Sequence, residues 1–182
     1  MIIQYIDKES LSSLEFLKGK RIQTILSGNF ALNYISNIIT TTKISIPINN
    51  FKGKYLTISN VWNQTQEFGV DYFNLNVRIS DTPEEIETSN DKNVKSSLIH
   101  HGNFSSLSLR TEAEISKIKI FKYSEKYLGE EVEFDNAILF ERRDGLNFLI
   151  KNQDSIIEHL EIVTSPEIID KIITEMEIRL TI

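Results

Sequence analysis

Three histidines, His100, His101 and His159, are the side chains of this chain best suited to proton transfer near neutral pH or to metal ligation. The chain has no cysteine, so a metal site would need carboxylates to complete its ligand set. The same absence excludes a thiolate zinc site, a disulfide framework and a cysteine nucleophile. Adjacent histidines in a strand point to opposite faces, so His100 and His101 could share one ion only across a bend. Read singly, they are surface or turn residues. Asp154, Ser155 and His159 supply the residue types of a nucleophilic triad within one short run. A triad is a spatial arrangement, however, and the strained Gly-x-Ser-x-Gly turn that would present the serine is missing. The sequence therefore assigns no catalytic residue, no metal and no cofactor.

Two pairs of adjacent glutamates, Glu84-Glu85 and Glu130-Glu131, could divide acid and base roles if burial pushed their pKa values apart. Both stand in polar, loop-like contexts, where acidic residues more often answer a helix dipole or face solvent. The seven glycines are scattered, and neither a phosphate loop nor a dinucleotide fingerprint can be assembled from them. What remains is a recognition surface around Val61-Trp62-Asn63-Gln64-Thr65-Gln66-Glu67-Phe68-Gly69, which holds the single tryptophan among amide side chains. Aromatic rings beside amides are what interfaces favour, although a hairpin loop folding its tryptophan back onto the core would have the same composition. A binding reading rests on Trp62, Tyr72, Glu84, Glu85, Glu130 and Glu131.

The charge is uneven along the chain. Residues 1–80 carry eight basic and five acidic side chains, and residues 81–182 carry twelve and twenty-one, for a net charge of −6 overall. An acidic half repels phosphate backbones and anionic headgroups, so it disfavours nucleic acid and membrane as partners and suits a basic protein. The first residues lack a basic lead and a long apolar run, and no stretch is apolar for a membrane-spanning length, which makes the cytoplasm the expected location. The leading expectation is a non-catalytic cytoplasmic binding protein, such as an acidic immunity or antitoxin-like protein that occludes a basic protein partner. The alternative is a hydrolase or other enzyme with a polar histidine-containing site between two halves of the chain.

The elements that must position these residues are mostly strands. Hydrophobic residues make up 40% of the chain and charged residues 25%, ordinary globular usage. Tyr72 to Ser80 alternates cleanly, and Ile44, Ile46 and Ile48 share one face. Shorter strands are expected at Ile2 to Ile6, Arg21 to Ser27, Tyr55 to Val61, Val94 to Ile99, Ser106 to Arg110 and Ile115 to Lys122. Ala31 to Thr40 is extended or helical without a clear period.

From Asp135 to Lys151 a hairpin is expected. A three-residue loop, Arg143-Asp144-Gly145 with a left-handed glycine, sets Phe140 opposite Phe148 and Ile138 opposite Ile150, gathering them with Leu146 on one buried face. A short helix is expected after Asp7 or Ser10, carrying Leu11, Leu14 and Leu17 to a stop at Gly19, and another from Pro83 to Thr88. A third starts at Thr164-Ser165-Pro166-Glu167, with an apolar stripe of Ile168, Ile169, Ile172, Ile173 and Met176, before a last strand from Glu177.

Val77 to Ile86 and Leu160 to Ile169 resemble each other, both running from a strand through Ser or Thr and Pro into Glu. Weaker matches keep the same order: Arg21-Ile22 with Lys117-Ile118, Ser36-Asn37 with Asp135-Asn136, and Gly53 to Ile58 with Gly145 to Ile150. Collinear matches suggest an internal duplication, although any strand-to-helix junction favours the same residues. The expected fold class is α+β, predominantly antiparallel β with short helices, in two quasi-equivalent halves. These are 1–104 and 105–182, the second ending in a helix and a strand, and together they form one compact unit.

Overall fold

Alternating side chains dominate the fold. The computed structural model describes residues 1–48, 53–67, 69–83, 105–153 and 159–182. In chain order the elements are β1 (Ile2–Gln4), α1 (Lys8–Leu17), β2 (Arg21–Ser27), β3 (Ala31–Asn33), β4 (Ile38–Thr41), β5 (Lys43–Pro47), β6 (Tyr55–Gln64) and β7 (Asp71–Ser80). There follow β8 (Ser105–Tyr127), β9 (Glu130–Arg142), β10 (Phe148–Asn152), β11 (Leu160–Val163), α2 (Pro166–Thr174) and β12 (Glu177–Thr181). The expected strand at Val94 to Ile99 and the expected helix after Pro83 lie outside the described residues.

The strands form one open, mostly antiparallel sheet in the order β3-β4-β11-β10-β9-β8-β2-β5-β6-β7. Two further strands join its side: β1 runs parallel to β9, and β12 antiparallel to β8. The order resolves into two wings, β2-β5-β6-β7 and β8-β9-β10-β11, which meet where β2 pairs antiparallel with β8. The β3–β4 hairpin leaves the first wing and pairs with β11 of the second. Only Thr42 separates β4 from β5, so one nearly continuous segment is hydrogen-bonded to both wings.

The main core draws on both wings and on α1. Ile22, Ile44, Ile58 and Val77 belong to the same buried cluster as Ile118, Phe140, Phe148 and Ile162. Helix α1 contributes Leu14 and Leu17, both fully buried, and Leu11 packs at the margin. Asp7 caps this helix by accepting the Ser10 amide at 2.7 Å, satisfying one of the free N–H groups of the first turn. A second cluster lies under α2, where Ile168, Ile169, Ile172, Ile173 and Met176 cover Phe121, Leu139 and Leu149.

The expected hairpin register is the observed one. Phe140 faces Phe148 and Ile138 faces Ile150, with Gly145 left-handed at φ 77°. Leu146 departs from expectation: it is 37% exposed and stands outside the buried cluster. Strand β8, expected as separate pieces, is one strand of 23 residues. Ala31 to Thr40 is neither one strand nor a helix but two short strands around a turn, with Asn37 left-handed at φ 54°.

Candidate functional site

Of the residues singled out for binding, Trp62, Tyr72, Glu130 and Glu131 come together at one end of the sheet. Strands β6 and β7 are paired out to their tip, with Trp62 opposite Phe73 and Asn63 opposite Tyr72. The tip is closed by the Thr65 amide donating to the Val70 carbonyl at 2.9 Å, and by the Val70 amide donating to Thr65 Oγ1 at 3.0 Å. The Thr65 hydroxyl in turn donates to the Glu130 carboxylate, fastening the tip to the start of β9. Trp62 and Tyr72 pack with Val70, Phe73, Val132 and Phe134.

Two expectations need correction here. Trp62 lies in strand β6 and not in a loop, because the pairing with β7 continues three residues past Val61. Glu130 and Glu131 open strand β9, where β8 pairs with them, so their surroundings are not loop-like. Glu84 and Glu85 lie outside the described residues, as do His100 and His101.

Beside this tip lies a cavity of about 240 Å³. Phe73, Tyr123 and Phe134 form an aromatic wall, Phe134 lying 6.0 Å from Phe73 and 5.9 Å edge-on from Tyr123 between ring centroids. Asn136, Asn152 and Lys151 line another side, and Glu125, Glu175 and Met176 complete it. The Lys151 ammonium is engaged by Glu161 at 3.3 Å and by the Asn152 carbonyl at 3.0 Å. Glu175 sits at the C-cap of α2, the negative end of that helix's dipole, where a carboxylate is disfavoured.

Four buried side-chain polar atoms have no hydrogen-bond partner among the described residues: Asn60 Oδ1, Trp62 Nε1, Arg142 Nε and Asn152 Oδ1. Three of these belong to this region. Asn152 donates its Nδ2 to the Asp135 carbonyl at 3.3 Å, leaving the oxygen unpaired. Asn60 donates to the His159 carbonyl at 3.0 Å, and that carbonyl also accepts from the Gln153 amide, next to Asn152. Buried polar atoms are nearly always paired, so a concentration of unpaired ones marks a place where hydrogen-bonding chemistry is incomplete.

On the other side of β9 a charged network is complete. Asp135, buried on β9, accepts Arg179 Nε at 2.6 Å and Nη2 at 2.7 Å, together with the Ile6 amide at 2.7 Å. The Arg179 guanidinium lies 4.5 Å from the centre of the Tyr5 ring, and the Tyr5 hydroxyl donates to Glu133. Lys122 pairs with Glu133 at 3.0 Å and with Glu177 at 3.2 Å. Hydrogen bonds from Tyr5 and Lys122 hold the Glu133 carboxyl below its ordinary range, and the same bonds push the Tyr5 and Lys122 pKa values up. These contacts join β1, β8, β9 and β12 and act as a clamp, with each charge answered inside the network.

His159 is half-buried, with Nδ1 3.2 Å from Gln153 Oε1. Among the described residues no group of three or more His, Asp or Glu gathers in a way that could hold a metal ion, and no helix is long and apolar enough to cross a membrane. The aromatic cavity is not legible in the sequence, because Phe73 and Phe134 read as ordinary core residues of strands that are not neighbours in the sheet. Comparison with protein-family models, with curated proteins and with solved structures returns no match.

Proposed function

We propose that the protein is a non-catalytic, cytoplasmic binding protein that captures a basic protein partner at this end of the sheet, in the manner of an acidic immunity or antitoxin-like protein. The observation that carries this reading is the cavity between the β6–β7 tip and β9. Its aromatic wall offers ring faces that attract cations, and unpaired Asn152 Oδ1 belongs to a residue lining it. Glu175 stands at the rim, and Glu130 and Glu131 lie close by on β9. The one ammonium present, on Lys151, is already paired. Donor-rich, positively charged groups such as arginine or lysine side chains match all of these features.

Trp62 is the only tryptophan and packs against this wall, so its fluorescence reports on occupancy. Titration with an arginine-rich peptide should change that signal saturably, and a glutamate-rich counterpart should not. Combined Glu131→Lys and Glu175→Lys should weaken binding about tenfold or more at low ionic strength and less at high salt. Binding indifferent to salt and to both reversals would overturn the proposal. Turnover of a small substrate abolished by His159→Ala would favour an enzyme instead.

The two wings are further inferred to descend from one duplicated meander. Three sequence matches fall on strands of the same rank in the two wings: Arg21-Ile22 and Lys117-Ile118 in β2 and β8, Gly53 to Ile58 and Gly145 to Ile150 around the starts of β6 and β10, and Val77 and Leu160 opening the run from β7 or β11 to its proline. The fourth drops out, because Ser36-Asn37 lies in the β3–β4 turn and Asp135-Asn136 within β9. Superposed in chain order, the wings should bring Pro83 onto Pro166. A fit that leaves these prolines apart would reduce the likeness to the shared chemistry of strand ends.

A further inference from the structure

A second cavity, of about 340 Å³, opens where β8 departs from β2, away from the aromatic wall. Ile22 faces Ala113 but Thr24 faces Ser108, so Gln23 alone opposes the four residues from Leu109 to Glu112. Such a bulge strands backbone carbonyls, and Arg142 takes them up. Its Nη1 donates to the Leu109 carbonyl at 3.1 Å, and its Nη2 to the Thr111 carbonyl at 2.5 Å and to Asp144 Oδ2 at 2.8 Å. The Arg142 side chain is fully buried, and its third nitrogen, Nε, has no acceptor among the described residues. Burial accordingly pushes its pKa down, against the pull of Asp144.

Arg110, in the same bulge, is held in the left-handed region at φ 67° and lines the cavity with Arg142. It is exposed and has no ion-pair partner among the described residues. The neighbouring acids are engaged elsewhere: Glu112 with Arg21 at 3.7 Å, Glu114 with Arg143 at 3.0 Å, and Glu167 with the Ser165 hydroxyl at 2.7 Å. Among the described residues Asp144 pairs with Arg142, and no carboxylate pairs with the Arg110 guanidinium. Leu107 and Leu146 supply apolar wall, which accounts for the exposed position of Leu146.

We propose that this cavity binds a small organic carboxylate with an apolar body, its carboxylate held between Arg110 and the Nε edge of Arg142 and its body against Leu107 and Leu146. The site is separate from the surface assigned to a basic partner, and neither proposal depends on the other. Octanoate is the probe, titrated into the full chain and followed by nitrogen-resolved NMR, including the arginine Nε–H signals. Octanoate should bind saturably and shift the Arg142 Nε–H resonance, while octanol and octylamine should not.

Arg110→Gln should weaken octanoate binding about tenfold or more without changing the melting temperature, because Arg110 is exposed and has no ion-pair partner among the described residues. Arg142→Lys, which keeps the charge but loses the fork, tests the second contact if the variant folds, and Arg110→Gln decides the matter if it does not. No saturable octanoate binding, binding unchanged by Arg110→Gln, or equal binding of octanol would overturn the proposal. Preference for a tripeptide ending in a free leucine carboxylate would also overturn it, by assigning the cavity to the end of a polypeptide.

Discussion

Phe140 and Phe148 stack with ring centroids 4.7 Å apart and planes 11° from parallel, both fully buried at the centre of the shared core. Phe148→Ala should cost about 3–5 kcal/mol, read from urea unfolding, because the lost contacts and the void add. This pair was legible because only one loop length puts like with like across the hairpin. Arg142, six residues before Phe148, was not. A charged residue at a strand end reads as surface, and nothing local announces that the carbonyls it serves lie on β8. A second test concerns Glu133. Its carboxyl is held below the ordinary range in the folded state, so it contributes stability that is present above the unfolded pKa, near 4.3. That contribution is lost as pH falls through the lower folded value. Thermal melts should therefore show the wild type losing stability below about pH 4.5, with a shallower fall in Glu133→Gln.

Elements whose pattern is local were the readable ones. The apolar stripe of α2 and the alternation of β7 each follow from their own residues, and both packed as expected. Ser165 stands at the N-cap of α2 without a side-chain bond to a free amide, its hydroxyl donating instead to Glu167. Strand β8 is expected to break between Arg110 and Ile115, yet the irregularity there is a bulge which the chain passes without ending the strand. Pairing with β2 on both sides of the bulge decides this, and β2 lies far earlier in the sequence. Gly145 offers a clean test of the hairpin loop. A Cβ there would meet nothing within 4 Å, but φ is 77°, so Gly145→Ala carries backbone strain alone. It should lower stability by about 1–2 kcal/mol, measured by chemical denaturation, with the amide pattern of β9 and β10 unchanged.

For the molecule as a whole, the residues of both wings that enclose the main core cannot be exposed separately. Heating should give one transition, with calorimetric and van't Hoff enthalpies equal, and two resolved transitions would show that the wings unfold independently. The β4–β5 segment has a further consequence, for synthesis. Its second part can pair with β6 soon after leaving the ribosome, but Ile39 and Thr41 must wait for Ile162 and Leu160. At ordinary elongation rates that delay is on the order of ten seconds. Throughout it, β4 and its hairpin partner β3 present an unmet strand edge to the crowded cell, the kind of surface that chaperones hold and that nascent neighbours join by mistake.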